Sequence, residues 1–227
     1  MTPHELRLNG LGFRNACFED VVVMAPWEID GTEFKRFYAH VPAHSPISPV
    51  SYYNLYCIAK QCLNVEGVFM ECGVFRGGSA SFFANILDGR KTLHLFDTFE
   101  GMPETGSHDT LHVKGDFDDT SIEEVRQTVG RPETTVFHKG RIPETFMFAD
   151  FATEGVAFAH VDVDIYQSVL DCCEFIYPRM SIGGIIVFDD YGHHSCPCAT
   201  EAVNLYFQDK RSVPLPQFSG QCVVVKV

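Results

Sequence analysis

The chain has 227 residues, 45% of them hydrophobic, 21% charged and 20 of them Phe; this is enough apolar material for one sizeable core and excludes a disordered protein. Thirty acidic residues against 17 basic ones give a formal charge of -13, which disfavours a broad basic surface for nucleic acid. No apolar run nears the roughly 20 residues of a membrane span.

The opening residues, Met1 to Phe13, lack a basic end joined to a long apolar core, so no signal peptide is visible and the expected compartment is the cytoplasm. Residues 1–47 read as irregular, with Pro26, Pro42 and Pro46 breaking any long helix. They are expected to form short helices and a flap. Pro49 to Leu63 repeats apolar residues at helical spacing. Val68-Phe69-Met70 then reads as a buried strand running into Glu71-Cys72-Gly73, with a helix from Ser79 to Leu87. Thr92 to Phe96 is a second strand, ended by Asp97. Residues 98–120 form a long connection, of a length that is often functional. Ser121-Ile122-Glu123-Glu124 matches a capping box, so a helix is expected from Ser121 to Val129. Strands follow at Thr134 to Phe137 and Val156 to Val161, a helix at Gln167 to Tyr177, and a strand at Gly184 to Phe188. A helix at Thr200 to Phe207 and a strand-like tail from Gln221 complete the chain.

Alternating strands and helices imply a parallel α/β sheet with helices on both faces. Ligands of such sheets bind beyond the carboxyl ends of the strands. Four strands each deliver acid to that edge: Glu71, Asp97, Asp162 with Asp164, and Asp189 with Asp190. A solvated helix face would not give that placement.

The turn Glu71-Cys72-Gly73-Val74-Phe75-Arg76-Gly77-Gly78-Ser79 lets the backbone approach a ligand and offers free N–H groups at a helix start. Its spacing is not GxGxxG, which suits a nucleoside bearing a carboxylate better than a dinucleotide. The bland alternative is a helix start that needs glycine. Asp97 is placed to accept ribose hydroxyls or to cap a turn. Asp162, Asp189 and Asp190 lie at neighbouring strand ends, where their charges repel; a hard divalent cation such as Mg²⁺ resolves that conflict. The alternative is one capping Asp and two solvated ones. His193 and His194 are candidate bases or exposed loop residues. Arg76 either meets a ligand carboxylate through its fork or is a surface cation.

Nine cysteines cannot all pair internally, so most are expected to be reduced. Cys172 and Cys173 read as packing on a helix. His193, His194, Cys196 and Cys198 hold ligand atoms suited to zinc, but the spacing is tighter than zinc sites use. A loop leading into a helix is preferred there.

The stretches GVFMECGVFRGGSA, FDTFEGMPE, KGDFDDTSIEEV, HVDVDIYQSVLDCCEFIYP and GGIIVFDDYG, followed by PCATEAVNLYF, resemble the macrocin O-methyltransferase family over roughly residues 50–210. The pairing of DVDxYxS with DDYG is the specific part. The resemblance implies a Rossmann-like class I methyltransferase fold over residues 48–227. Its sheet is mostly parallel, with an antiparallel carboxyl-terminal strand, and residues 1–47 form a lid or substrate region. It implies S-adenosylmethionine contacts at Glu71, Gly73, Arg76, Gly77 and Ser79, ribose at Asp97, nucleoside flanked by Thr98 and Phe99, and adenine near Gly140 and Arg141. Mg²⁺ would be held by Asp162, Asp189 and Asp190. The catalytic candidates are Asp162, His193 and His194.

The expected reaction is methyl transfer from S-adenosylmethionine to a hydroxyl of a small natural product, first of all a sugar. A catechol-like phenol needs the same metal geometry and stays open. Two other classes compete. A nucleotide-dependent oxidoreductase predicts GxGxxG, which is missing; a non-catalytic nucleotide-binding protein predicts loss of the acidic triad, which is intact. The expected partner is a small hydroxylated molecule, without nucleic acid or membrane. A homo-oligomer is compatible with the sequence.

Overall fold

The computed structural model describes residues 33–43, 45–149 and 154–227. Two compact units divide the chain, Met1–Gly31 and Thr32–Val227; all that follows concerns the second. The lid expected over residues 1–47 therefore falls mainly outside the described residues, and its boundary at 47 lies inside the larger unit.

The described elements are α1 (Glu33–Tyr38), α2 (Pro49–Cys62), β1 (Val68–Cys72), α3 (Gly78–Leu87), β2 (Leu93–Asp97), α4 (Ile122–Val129), β3 (Thr135–Lys139), a 3-10 turn (Glu144–Phe148), β4 (Val156–Val161), α5 (Tyr166–Arg179), β5 (Met180–Phe188), α6 (Pro197–Phe207), β6 (Leu215–Pro216) and β7 (Cys222–Val225). The sheet order is β3-β2-β1-β4-β5-β7-β6. β1 to β5 pair in parallel, and β7 returns antiparallel to β5, as the α/β reading requires. The chain steps outward from β1 to β3, then crosses to the other side of β1 for β4. In such sheets ligands bind beyond the carboxyl ends of the strands at the point of reversal, here β1 and β4.

Every residue of β1 and β4 is buried, because both faces of the central sheet carry helices. Alternation along β1 divides the core. Val68, Met70 and Cys72 join the cluster under α5 and α6, with Val161, Cys172, Cys173, Ile176, Phe188 and Val203. Phe69 faces the other layer, where its ring lies 5.0 Å from that of Phe158, and Phe83 of α3 lies 5.1 Å from Phe158. α1 adds Phe34, buried against Tyr53, Tyr56 and Phe82. Glu33 anchors it by accepting from Tyr56 Oη and Lys60 Nζ, each at 2.6 Å.

Local signals place most helix ends. Ser48 caps α2 by accepting from Ser51 N at 3.1 Å, and Ser121 caps α4 by accepting from Glu124 N. α6 begins at Pro197, three residues before the sequence-based start, since proline's fixed φ and missing N–H suit a first helical position. β5 likewise starts earlier, at Met180, and the 3-10 turn and short β6 carried no sequence signal. The eight described cysteines are all free thiols. No helix among the described residues is long and apolar enough to cross a membrane.

On the β2–β3 side, His94 Nδ1 lies 2.9 Å from His138 Nε2. Burial, and then the charge of His138, hold the His94 imidazole down to about 4; burial also lowers His138. An unfolded histidine titrates near about 6.5. The folded pair binds fewer protons than the unfolded chain between these values, so its contribution is fully present above about 6.5 and lost as pH falls toward 4. Melting temperatures at pH 7 and pH 5 test this: His94→Asn should lose less on acidification than the parent chain, and an equal loss would remove the histidine pair as the cause.

Candidate active site

The carboxyl edge is built around one backbone approach. Gly73 follows β1 at φ +84°, and a Cβ there would lie 1.7 Å from the Asp162 carbonyl oxygen. No side chain fits, so the turns after β1 and β4 press directly together. Asp162 N donates to the Cys72 carbonyl at 2.8 Å across the same seam.

Asp97, ending β2, ties the glycine turn to its own. Its Oδ2 accepts from Val74 N at 2.6 Å and Phe75 N at 3.0 Å, and its Oδ1 accepts from Phe99 N at 2.6 Å. The Thr98 hydroxyl proton goes to the Gly101 carbonyl at 2.7 Å, so these three contacts leave one of about four carboxylate acceptor positions open. Thr98 Oγ1 also accepts from Glu100 N, and Phe99, at φ +53°, is buried near Phe137. Gly140 N donates to the Asp97 carbonyl at 2.9 Å, so the turns after β2 and β3 meet. Arg141 follows there, its carbonyl accepting from Thr145 N and Oγ1.

Gly77 begins α3 at φ +80°, with no room for a Cβ beyond 3.0 Å of Val125. Arg76 is committed elsewhere: its guanidinium pairs with the Asp119 carboxylate and donates to the Asp119 carbonyl at 2.9 Å. The surface-cation alternative describes it better in this structure.

A buried polar chain crosses the strands behind the edge. Glu71 Oε1 lies 2.8 Å from His160 Nδ1, and His160 Nε2 lies 3.3 Å from Asp189 Oδ1. Gln221 Nε2 donates to the same Asp189 oxygen at 2.7 Å. Burial works against the charged His160, but its bonds to Asp189 and Glu71 hold the imidazole well above its usual value. Burial raises Glu71, opposed by His160 and by the nearby Ser79 hydroxyl. Glu71 Oε2 nevertheless has no hydrogen-bond partner in the structure. A buried carboxylate oxygen left unpaired is costly, and Glu71 lies one residue before the end of β1.

Asp162 and Asp189 converge with His160, their ligand atoms within 4.8 Å of one another. Asp190 borders this group, its Oδ2 accepting from Asp164 N at 3.2 Å. Burial, then the charges of Asp189 and Asp190, push Asp162 well up; burial, then Asp164 and Asp189, do the same for Asp190. Asp189 also loses hydration, yet its bonds from His160 and Gln221 hold it low. Asp162 and Asp189 offer the oxygen donors a hard divalent cation takes, with Asp190 beside them, and such a charge would offset the repulsion that resists ionisation of Asp162 and Asp190. His160 was missed in the sequence; its one signal was a histidine inside the apolar run Val156–Val161.

His193 Nδ1 lies 2.6 Å from Ser195 Oγ. Burial and the neighbouring His194 keep its imidazole below the usual value, against the pull of Asp164 and Asp189. The His194 ring centre is 4.6 Å away.

Comparison with known proteins bears on the family and the fold. The family Macrocin-O-methyltransferase (TylF) matches residues 55–225. The chain is 31% identical, over 83% of its length and 78% of the relative's, to the 8-demethyl-8-(2,3-dimethoxy-alpha-L-rhamnosyl)-tetracenomycin-C 4'-O-methyltransferase of Streptomyces olivaceus. It is 31% identical to the mycinamicin III 3''-O-methyltransferase of Micromonospora griseorubida, over 72% of this chain and 70% of that one. Among solved structures, the O-methyltransferase NovP superposes with a TM-score of 0.70 at 26% identity, over 82% of this chain and 83% of NovP.

The seam itself is testable. Gly73→Ala combines a disfavoured φ with a forced clash, so it should lower the unfolding free energy by about 2–6 kcal/mol. Denaturant unfolding reads this, and a loss below 1 kcal/mol, on the order of an exposed-site substitution, would show that the two turns separate easily.

Proposed function

The chain belongs to the macrocin O-methyltransferase family, and on that premise we propose that it methylates a sugar hydroxyl of a small natural product in a reaction that depends on a divalent cation. As a member of that family it is an S-adenosylmethionine-dependent O-methyltransferase, moving a methyl group to a hydroxyl oxygen. The rhamnosyl group in the name of the Streptomyces olivaceus relative supports the substrate class. The observation that carries the proposal is the meeting of Asp162, after β4, and Asp189, after β5, with His160 at the carboxyl edge, their ligand atoms within 4.8 Å of one another.

Glu71, Gly73, Gly77 and Ser79 line the turn assigned to the methyl donor. The unpaired Glu71 Oε2 is the acceptor left for it. Asp97 holds ribose through the acceptor position on Oδ1 that no backbone N–H fills. Thr98, Phe99, Gly140 and Arg141 form the paired turns beside it. Asp162, Asp189 and Asp190 would hold Mg²⁺. A bound divalent cation lowers the pKa of a coordinated hydroxyl and fixes its orientation.

The protein's own groups do the rest. His160 keeps Asp189 ionised and aligned from behind. Proton acceptance is assigned to His193 before Asp162, because a carboxylate that holds a cation is a poor base. His193 is kept neutral, and with Nδ1 facing Ser195 its Nε2 is the atom that takes the proton.

Calorimetry and turnover test the proposal. The chain should bind S-adenosylmethionine, and Asp189→Ala should abolish metal-dependent turnover of a hydroxylated sugar substrate while cofactor affinity stays within about threefold, well under the tenfold that 1.4 kcal/mol represents. Full activity in excess chelator would remove the cation from the mechanism. Absence of cofactor binding at millimolar concentration would overturn the whole reading.

A further inference from the structure

The motif Asp162-Val163-Asp164 sends its two carboxylates to different places. Asp162 joins His160 and Asp189, whereas Asp164 joins His112 and Cys196. Asp164 sits at φ +59°, an uncommon conformation for a residue with a side chain. His112 comes from the long connection between β2 and α4, and Cys196 from the residue capping α6.

The three donor atoms form a compact triangle. Cys196 Sγ is 3.4 Å from His112 Nε2 and 3.6 Å from Asp164 Oδ1, and His112 Nε2 is 3.7 Å from Asp164 Oδ1. The last separation is too long for a hydrogen bond. It suits two ligands sharing one ion. Zinc bonds of about 2.3 Å to sulfur and about 2.0–2.1 Å to nitrogen or oxygen, at the tetrahedral angle, place donors about 3.3–3.6 Å apart. All three edges lie at or just beyond that range.

Behind the triangle, Asp116 Oδ2 lies 3.3 Å from His112 Nδ1 and accepts from Val113 N at 3.1 Å. Carboxylates in this position fix the tautomer of a metal-binding imidazole, leaving Nε2 free to ligate. Cys196 is fully buried, and the His112 and Asp164 side chains are only 12% and 19% exposed. A donor set of thiolate, imidazole and carboxylate selects zinc over Mg²⁺.

The geometry points to a second metal site in which His112, Asp164 and Cys196 bind one Zn²⁺ and clamp the 98–120 connection to the β4–α5 turn and the start of α6. On binding, the Cys196 thiol gives its proton to solvent as the sulfur–zinc bond forms; His112 stays neutral and Asp164 ionised. The fourth position is left for water or another oxygen. The same connection is already tied down nearby, since Asp109 Oδ1 accepts from Tyr166 N at 2.8 Å and the His108 ring stacks on Tyr166 at 4.1 Å. The clamp therefore continues an existing seam and does not depend on the cation assigned to Asp162, Asp189 and Asp190.

The full chain, stripped of metal by chelator and dialysed, should be titrated with Co²⁺ and then Zn²⁺. One equivalent of Co²⁺ should produce thiolate-to-metal charge-transfer absorption, bleached by one equivalent of Zn²⁺ and untouched by millimolar Mg²⁺. Cys196→Ala and His112→Ala should lose that absorption, and Asp189→Asn should retain it. Asp116→Asn, which changes only the residue behind His112, should weaken zinc about 10–100-fold. It remains readable if the Cys196 variant does not fold. Zinc should also slow limited proteolysis within residues 98–120. No charge-transfer absorption, absorption that survives Cys196→Ala, or an Asp116→Asn affinity equal to the parent's would each overturn the proposal.

Discussion

A histidine held between two carboxylates inside the sheet is the interaction on which the carboxyl edge depends. Glu71, His160 and Asp189 belong to β1, β4 and the end of β5, so their bonds join three neighbouring strands where the strand order reverses. Burying charge is expensive unless partners replace the lost water. The chain meets that cost by giving both His160 nitrogens an acceptor. One Asp189 oxygen, Oδ1, is thereby oriented from behind by His160 and Gln221. Asp162 and Asp190 have fewer such supports, and their resistance to ionisation follows from burial and mutual repulsion. A fixed charge beside strained ones is an arrangement that a dication stabilises.

Much of this was legible in the sequence because burial on both faces writes strands as short apolar runs. The acids that end those runs stand out against them: Asp97 after Leu93–Phe96, Asp162 after Val156–Val161, Asp189 after Ile185–Phe188. Turn and cap chemistry is equally local, and Ser121 caps α4 as its spacing implied. What stayed hidden is contact between distant segments. Arg76 reads equally as a ligand-binding or a surface cation, and its partner in the fold, Asp119, lies 43 residues on. His160 reads as one polar residue in a core strand until Glu71 and Asp189 appear on either side. Cys196 read as part of a loop leading into a helix, its neighbours too tightly spaced for zinc; the fold brings it His112 and Asp164, 84 and 32 residues away.

Asp97 shows how one residue can satisfy two readings at once. Ribose acceptor and turn cap were alternatives in the sequence, and the structure gives the cap outright, with both oxygens receiving backbone N–H groups. That capping places the carboxylate at the lip between the turns after β1 and β2. A group bound there meets an acid whose position is set by backbone atoms of both walls.

The missing Cβ at Gly73 has a consequence for how such an edge can diversify. Where two turns touch backbone to backbone, neither can change course without the other, so residues 72–74 and 161–163 form one unit under joint constraint. The segments around His108 and His112 meet the β4–α5 turn and α6 through side chains instead, and side chains can be exchanged one at a time. Half of the rim is thereby frozen and half is open to revision. A lineage seeking new acceptor molecules, or an engineer doing the same, has its freedom on the side away from that glycine.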